Sequence, residues 1–100
     1  MKKEYTGGAR IGLANYTWPF AKIIFSENNI IISTLGGGKY IFNCFDITSI
    51  EKVNGFLPIS KGIRINHTKS SYSKKIIFWC VGDRDEIFDY AQSVTRSPRD

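Results

Sequence analysis

The sequence predicts a mainly β fold that ends in one α-helix, arranged as a curled antiparallel sheet or partly open barrel capped by the helix. Three observations support this prediction. Short runs rich in Ile, Phe, Tyr and Thr alternate with Gly, Asn and Ser, a pattern typical of strands and turns. The turns have the spacing of hairpins, so no parallel crossover is required. After Gly82 the spacing of apolar residues changes from two to about 3.6, which indicates a helix.

One domain accounts for the length and composition of the chain. It has 100 residues, of which 42% are hydrophobic and 23% are charged. A chain of this size forms one core and buries about two-thirds of its unfolded surface. No segment approaches the ~20 apolar residues that cross a bilayer, and the start of the chain lacks the apolar core of a signal peptide. We therefore expect a cytoplasmic protein, with the inner membrane surface as an alternative location.

The first part of the chain predicts an N-terminal segment followed by a hairpin. Residues 1–16 are expected to pack on the sheet or to extend it, and the domain proper is expected to span residues 17–96. The first strand is predicted at residues 17–26. Asn28 and Asn29 can adopt the positive φ angles of a two-residue hairpin turn at low cost, so the chain is expected to reverse there.

Two further strands and an anchored segment are predicted before the middle of the chain. Residues 30–35 return as the second strand, and the glycine run at 36–38 makes the next tight reversal. Residues 39–45 form the third strand. Ile47 and Ile50 are expected to anchor the segment that follows.

The second half of the chain predicts a hairpin that follows a longer loop. The loop spans residues 54–62 and contains Pro58. Residues 62–68 show the clearest alternation in the chain, with a polar outer face. Residues 74–82 give the last strand.

A single helix is predicted at about residues 83–95. Its apolar residues fall on one helical stripe: Ile87, Phe88, Ala91 and Val94. Asp83 is expected to cap the helix, and Glu86 stands at the spacing of a capping box. Pro98 blocks continuation, which leaves residues 97–100 as a tail.

The Trp18-Pro19-Phe20 step is expected to form a corner of the core. A proline at the beginning of a strand costs no ladder hydrogen bond if the missing N–H would have faced outward. Trp18 and Phe20 share a parity, and large aromatic side chains commonly fill corners where two faces of a curved sheet diverge. The alternative is that the two rings form a platform for a ligand.

The sequence predicts no catalytic, metal or cofactor site. Cys44 and Cys80 are too few for a disulfide framework and lack the close pairing of a zinc site, so both are expected to be reduced core thiols. His67 is the one histidine of the chain, and no third group is available to orient a Cys–His nucleophilic pair. The glycine run at 36–38 precedes a strand, whereas a phosphate-binding loop precedes a helix. We expect a non-enzymatic domain.

The charge of the chain is unevenly distributed. No acidic residue lies between Glu51 and Asp83, whereas acids cluster at the start of the predicted helix. The candidate surface for an anionic partner is a basic hairpin with one loop tyrosine: Lys61, Arg64, Lys69, Tyr72, Lys74 and Lys75. The alternative interpretation is a solvated face that keeps the domain soluble.

Trp79 is the candidate for an apolar interface. Residues 76–81 are apolar at both parities, so one face of this strand should point outward. We expect the helix or residues 5–16 to cover that face, because monomers seldom expose large apolar patches. The alternative is a protein interface at Trp79, including self-association into a homo-oligomer.

The chain resembles the bacterial pleckstrin-homology-like (PH-like) and GRAM-like domains. The resemblance rests on "GGARIGLANYTWPFAKIIFSENNIIIS", "DITSIEKVNG", "KGIRINH" and "KKIIFW". Its most specific parts are the Trp-Pro-Phe step, the Ile-x-x-Ile-Glu step at residues 47–51 and the glycine-led strand that ends in His67. The resemblance implies a seven-stranded bent sandwich capped by a C-terminal helix, and it implies no catalysis.

The resemblance also implies a binding function. Members of this superfamily bind phosphoinositides, peptides or other domains, and phosphoinositide-binding members carry bases around the first hairpin loop. We place that loop at Glu27-Asn28-Asn29, which has an acid and no base, so no lipid-site residue is carried over. The expected function is a non-catalytic interaction module for a protein or peptide partner. The alternatives are weak binding of anionic membrane lipid through the basic hairpin and nucleic-acid binding, for which the chain has no recognition motif.

Overall fold

A computed structural model describes residues 2–55 and 60–95 and confirms a mainly antiparallel β fold with one C-terminal helix. Within these residues, seven strands form a curled half-barrel sheet. The elements in chain order are β1 (Lys3–Ile11), β2 (Ala14–Phe25), β3 (Asn29–Thr34), β4 (Gly38–Asn43), a 3-10 turn (Cys44–Asp46), β5 (Ile47–Asn54), β6 (Lys61–His67), β7 (Ile76–Cys80) and α1 (Arg84–Thr95). Pro58, Pro98 and the predicted tail at 97–100 lie outside the described residues.

The strands lie in the order β4-β3-β2-β1-β7-β6-β5, with each neighbouring pair antiparallel. β1 therefore joins two meanders, one made of β1 to β4 and the other of β5 to β7. The first strand was expected at residues 17–26, but β1, which precedes it in the chain, is the central strand of the sheet. The two edge strands are β4 and β5, and α1 packs mainly against β5, at the side where the barrel stays open.

An irregularity in the β1–β2 pair bends the sheet. Gly7 faces Ala21 and Ala9 faces Tyr16, so Gly8 alone stands opposite residues 17–20. The extra residues on β2 interrupt the alternation of inward and outward side chains, as in a β-bulge. The prediction that Trp18 and Phe20 fill a corner of the core is therefore wrong. Their side chains are 60% and 46% exposed, because the bulge turns this step outward.

The core lies between the concave face of the sheet and α1. Its fully buried side chains come from both meanders: Ile23, Ile30, Ile32, Phe42, Ile63, Ile65, Ile76 and Phe78. The helix contributes the predicted stripe through Ile87, Ala91 and Val94, with Phe88 partly buried beside them. At about 25 cal/mol per Å² of apolar surface, each fully buried isoleucine or phenylalanine stabilises the fold by about 1.5–3 kcal/mol.

The helix begins as predicted but its capping differs in one bond. The Asp83 carboxylate accepts a hydrogen bond from the Glu86 N–H at 3.1 Å, which is an N-cap interaction. The Glu86 side chain was predicted to bond back to the cap residue. Its carboxylate instead accepts a hydrogen bond from the Tyr5 hydroxyl, so it ties β1 to the first turn of α1.

The two cysteines do not form a disulfide with each other. Cys44 is buried and Cys80 is half-buried, and neither is in a disulfide. Burial raises the pKa of the Cys80 thiol to about 12, and the nearby Arg84 guanidinium offsets only part of that effect. Among the described residues, no helix is long and apolar enough to span a bilayer.

Candidate functional site

Trp79 lies on the outer face of the sheet, flanked by glycines on both neighbouring strands. Gly8 of β1 and Gly62 of β6 pair with it directly and so share its face. A Cβ atom at Gly62 would lie 2.8 Å from Trp79 Cε3, and one at Gly55 would lie 3.3 Å from Trp79 Cη2. The indole therefore lies low across Gly62 and reaches toward Gly55, a position that a larger residue at 62 would obstruct.

A hydrogen bond fixes the other side of the indole. Trp79 Nε1 donates to the Asn15 side-chain oxygen of β2 at 2.9 Å, across β1. This bond uses the one polar donor of the indole ring. What Trp79 offers to a ligand is therefore the face of its ring, a surface suited to stacking.

Trp18 and Trp79 line one depression on the outer face. Its volume is about 490 Å³, which is within the usual range of ligand sites. Val81 also lines it and is 55% exposed. We call this feature the tryptophan groove, and its lining residues are Gly8, Arg10, Asn15, Thr17, Trp18, Gly55, Ser60, Trp79 and Val81.

Of the described residues that line the groove, Arg10 alone is charged. It belongs to a row of paired residues that runs from Arg10 through Ile77 to Arg64. Ile77 points outward but is only 6% exposed, and its cross-strand partners on both sides are arginines, whose long aliphatic stems can cover apolar surface. Arg10 Nε donates to the Gly12 carbonyl at 2.9 Å, which orients the guanidinium at the edge of the groove.

The covering predicted for Trp79 is wrong. The N-terminal residues pair edge to edge with β7 as strand β1, so they extend the sheet and do not lie over its outer face. The helix packs on the concave side. The outward side chains at and after β7 instead differ in exposure. Ile77 is buried between its two arginine partners, the indole of Trp79 lies low beside Gly62, and Val81 remains exposed.

Three of the predicted basic residues meet near the β1–β2 turn. Arg64 Nη2 approaches the Lys74 carbonyl at 3.5 Å, and the Gly12 N–H donates to the Lys75 carbonyl at 2.8 Å. Lys74 and Lys75 themselves are exposed. Lys61 does not join them, because it lies three residues before Arg64, about 10 Å along β6 at ~3.3 Å per residue, and pairs with Cys80 at the end of β7 that is remote from Lys74 and Lys75.

Lys69 and Tyr72, also predicted for that surface, hold a different part of the fold. Lys69 Nζ donates to the Ile41 carbonyl at 3.1 Å, and the Ile41 N–H donates to the Tyr72 hydroxyl oxygen at 3.1 Å. The Tyr72 ring packs edge-on against Tyr40 and Phe42. The β6–β7 loop thus occupies backbone groups at the free edge of β4, where an unpaired strand would otherwise be open to another chain.

The first hairpin turn is not the one predicted. β1 and β2 are joined at Gly12 and Leu13, whereas Ser26-Glu27-Asn28 connects β2 to β3. The absence of bases at Glu27-Asn28-Asn29 therefore says nothing about the first hairpin. Its tip presents Leu13, which is 95% exposed.

His67 has a structural role. Its Nδ1 accepts a hydrogen bond from the Lys69 N–H at 3.0 Å, and its Nε2 donates to the Ser73 carbonyl at 2.8 Å. Both ring nitrogens are thereby used to shape the β6–β7 loop. Within the described ranges, no group of three or more His, Cys, Asp or Glu side chains could hold a metal ion.

Sequence reasoning did not identify Arg10, Asn15 and Trp18 as parts of one site with Trp79. Their meeting depends on the pairing of β1 with β7 and on the bulge in β2, which are long-range features. The signal available in the sequence was the presence of Gly8 and Gly62 within strand segments, since a glycine in a strand often marks a place where another group approaches the backbone closely. No protein-family model and no curated protein matches the chain.

Proposed function

We propose that this protein is a non-catalytic interaction module of the PH-like type that binds a peptide segment of a partner protein in the tryptophan groove. The observation that supports this most directly is the pairing of two outward tryptophans, Trp18 and Trp79, in one depression of the outer face. The seven-stranded curled sheet and its C-terminal helix agree with the architecture that the sequence resemblance implies, and this agreement supports the PH-like assignment.

The composition of the groove is that of a binding hot spot. Tryptophan and arginine are the residues most enriched where a few side chains carry most of a binding energy. The bulge bends the sheet, but a tryptophan that is 60% exposed stabilises the core little, so core packing does not account for a tryptophan at position 18. A partner that covered Trp18 and Val81 would remove this apolar surface from water.

Selection of peptides from a random-sequence phage library tests the proposal without assuming a partner. We expect enriched peptides to bind the wild-type protein and to lose about tenfold or more in affinity for Trp18→Ala, because truncation of a hot-spot tryptophan typically costs at least about 1–2 kcal/mol. Isothermal titration calorimetry with synthetic copies of the selected peptides measures this loss.

Phe45→Ala is the matched control for this experiment. Phe45 is 66% exposed, close to the 60% of Trp18, but it lies beyond β4 and does not line the groove. Selected peptides should bind this variant as they bind the wild type. If the library yields no enriched peptide, or if the peptides bind Trp18→Ala unchanged, the groove is not a peptide site.

A second candidate function, weak attachment to an anionic membrane surface, is favoured by the tip of the β1–β2 turn. Leu13 is 95% exposed there. Arg10 and Lys75 are hydrogen-bonded to Gly12 of the same turn, and Lys74 is the neighbour of Lys75 in the chain. At about 1 kcal/mol for each basic residue near an anionic surface, these residues with Arg64 contribute about 4 kcal/mol, which corresponds to millimolar affinity. Insertion of Leu13 would add about 1.5–3 kcal/mol at most.

Co-sedimentation with phosphatidylserine vesicles at low salt tests this candidate. We expect binding to be lost in Leu13→Asp and in the double variant Lys74→Glu/Lys75→Glu. The control is Lys2→Glu/Lys3→Glu, which makes the same charge change at the start of β1, away from the turn. Equal sedimentation of all variants, or none for the wild type, would exclude a membrane role for this turn.

A further inference from the structure

We infer that the segment bound in the tryptophan groove is an extended acidic peptide that contains proline. This inference rests on the proposed function and specifies the chemistry of its ligand. It is carried by the charge of the groove lining, by the way the Trp79 ring is held and by the polar side chains beside that ring.

The charge of the lining favours an acidic partner. Among the lining residues that belong to the described ranges 2–55 and 60–95, Arg10 is the one that is charged and none is acidic. Within the described residues, the ion pairs are Lys22–Glu4 and Lys52–Asp85, so no carboxylate neutralises Arg10. Arg64 lies two strands away in the same row. The acid at the far end of that row, Glu51, accepts a hydrogen bond from the Asn66 amide.

The Trp79 ring favours proline as the stacking residue. Because Nε1 already donates to Asn15, the indole presents its electron-rich face and no free polar donor. A proline ring can lie against such a face, and proline-rich segments dock in aromatic-lined grooves because they are already extended before binding. Trp18 stands across the same depression and supplies a second aromatic wall.

The remaining polar residues suit an extended backbone. A polyproline-type segment has no internal hydrogen bonds, so its carbonyl groups need external donors. Thr17 and Ser60 place hydroxyl groups in the lining, and the Arg10 guanidinium supplies further donors at its edge. One bound segment could therefore stack a proline on Trp79 and direct a neighbouring carboxylate toward Arg10.

Fluorescence polarisation with a labelled synthetic peptide of alternating glutamate and proline pairs tests this inference. We expect it to bind at least about tenfold more tightly than a peptide with lysine in place of glutamate, because like charges across an interface are strongly disfavoured. Replacing proline by glycine should weaken binding by a similar factor, since the stacking ring and the pre-extended backbone are both lost.

Variants of the protein locate the bound peptide. Arg10→Gln should weaken binding of the glutamate–proline peptide about three- to tenfold and reduce its dependence on salt, and Trp18→Ala should weaken it about tenfold. Lys39→Gln removes an exposed cation outside the groove and should have no effect. Both groove substitutions alter exposed or groove-edge side chains, and circular dichroism verifies that each variant is folded.

The inference is overturned if the lysine–proline peptide binds as tightly as the glutamate–proline peptide, if no binding is detected, or if Arg10→Gln leaves the affinity unchanged. The phage selection separates this failure from failure of the proposed function. Groove-dependent peptides that are neutral, basic or free of proline would overturn the ligand chemistry and leave the peptide-binding function in place. A selection without groove-dependent peptides would overturn both.

Discussion

Gly62 is the single residue on which the position of Trp79 most depends. A Cβ atom there would lie 2.6 Å from the Phe78 carbonyl oxygen and 2.8 Å from Trp79 Cε3. The first of these atoms belongs to the backbone and cannot move without disturbing the β6–β7 ladder. Hydrogen at this position is therefore what lets the indole lie low on the sheet.

Gly62→Ala is predicted to destabilise the domain by about 2–3 kcal/mol, the upper part of the usual range for overpacking, because the clash involves a backbone oxygen. Urea unfolding followed by circular dichroism measures the change. Gly36→Ala is the matched comparison, because a Cβ at Gly36 meets no atom within 4 Å and only its φ of +78° is unfavourable. That variant should lose about 1 kcal/mol. An equally small loss for Gly62→Ala would mean that the indole is not tightly seated.

Cys80 is predicted to be a slow nucleophile. Its pKa of about 12 leaves roughly one thiolate in ten thousand at pH 8, whereas an ordinary thiol near pKa 8.5 is substantially ionised there. Iodoacetamide should therefore label Cys80 in the folded protein at least about a hundredfold more slowly than in urea, as followed by mass spectrometry. Rapid labelling of the folded protein would show an activated thiol.

At the scale of secondary-structure elements, α1 is held by its apolar stripe and by polar bonds to both meanders. Arg84 Nη1 donates to the Val53 carbonyl at 2.9 Å, and Lys52 pairs with Asp85 at 2.8 Å. On the other side, Tyr5 of β1 bonds to Glu86. The helix therefore links β1 of one meander to β5 of the other across the open side of the sheet.

Docking of the helix is tested by Ile87→Asp. Ile87 is 1% exposed, and an unpaired carboxylate at that depth costs several kcal/mol, a large part of the ~5–15 kcal/mol that stabilises a domain. We predict loss of the near-ultraviolet circular dichroism signal and of the thermal unfolding transition. Asp89→Ala changes an exposed residue of the same helix and should melt like the wild type. A folded Ile87→Asp protein would contradict a docked helix.

The bond between β1 and α1 predicts a specific dependence on pH. Burial raises the pKa of the Tyr5 phenol above its ordinary value of 10.0, and the hydrogen bond to Glu86 raises it further. Because the pKa is raised in the folded state, the contribution of the Tyr5–Glu86 bond to the free energy of unfolding is complete below pH 10 and is lost as the pH rises beyond it. Tyr5→Phe should lower the free energy of unfolding by about 0.5–1.5 kcal/mol at pH 7.

Unfolding free energies of wild type and Tyr5→Phe, compared in alkaline solution, check the direction of this pH dependence. The difference between wild type and Tyr5→Phe, measured by urea unfolding, should be constant from pH 7 to 9 and should shrink above pH 10. In an alkaline titration followed by tyrosinate absorbance, the variant should have one fewer tyrosine that ionises above the ordinary pKa. A difference that grows with pH would mean that the ionised form of Tyr5 is the stabilised one.

At the scale of the whole molecule, the two meanders share one core. β1 is hydrogen-bonded to strands of both, and buried residues from β2 to β4 and from β5 to β7 belong to a single cluster with the helix. The buried faces of the two meanders meet each other and the helix within this cluster. The domain therefore has no independent folding unit smaller than itself.

A single cooperative unfolding transition is the expected consequence. Tryptophan fluorescence, from Trp18 and Trp79, reports the outer face of the sheet. Far-ultraviolet circular dichroism reports the strands and helix, and near-ultraviolet circular dichroism reports aromatic packing. In urea the three signals should give the same midpoint and the same slope. An earlier transition in one of them would show that part of the sheet unfolds separately.

Several features of this protein were determined by its sequence alone. Patterns of apolar residues specified β2 to β4, β6 and β7, but not β1 or β5. The change of spacing after Gly82 specified the helix, and Ile87, Ala91 and Val94 specified its buried face. These features depend on residues close together in the chain, where the direction of each side chain follows from the local backbone. Trp79 was also identified in this way, because both parities of its strand are apolar.

The tertiary structure alone decided where those elements meet. The pairing of β1 with β7 brought Arg10 to the groove, and the bulge opposite Gly8 turned Trp18 outward to join it. It also separated Lys61 from Lys74 and Lys75 and committed Lys69 and Tyr72 to the edge of β4. Strand partners distant in sequence are selected by the packing of the whole core, and one extra residue in a pair reverses every side chain beyond it.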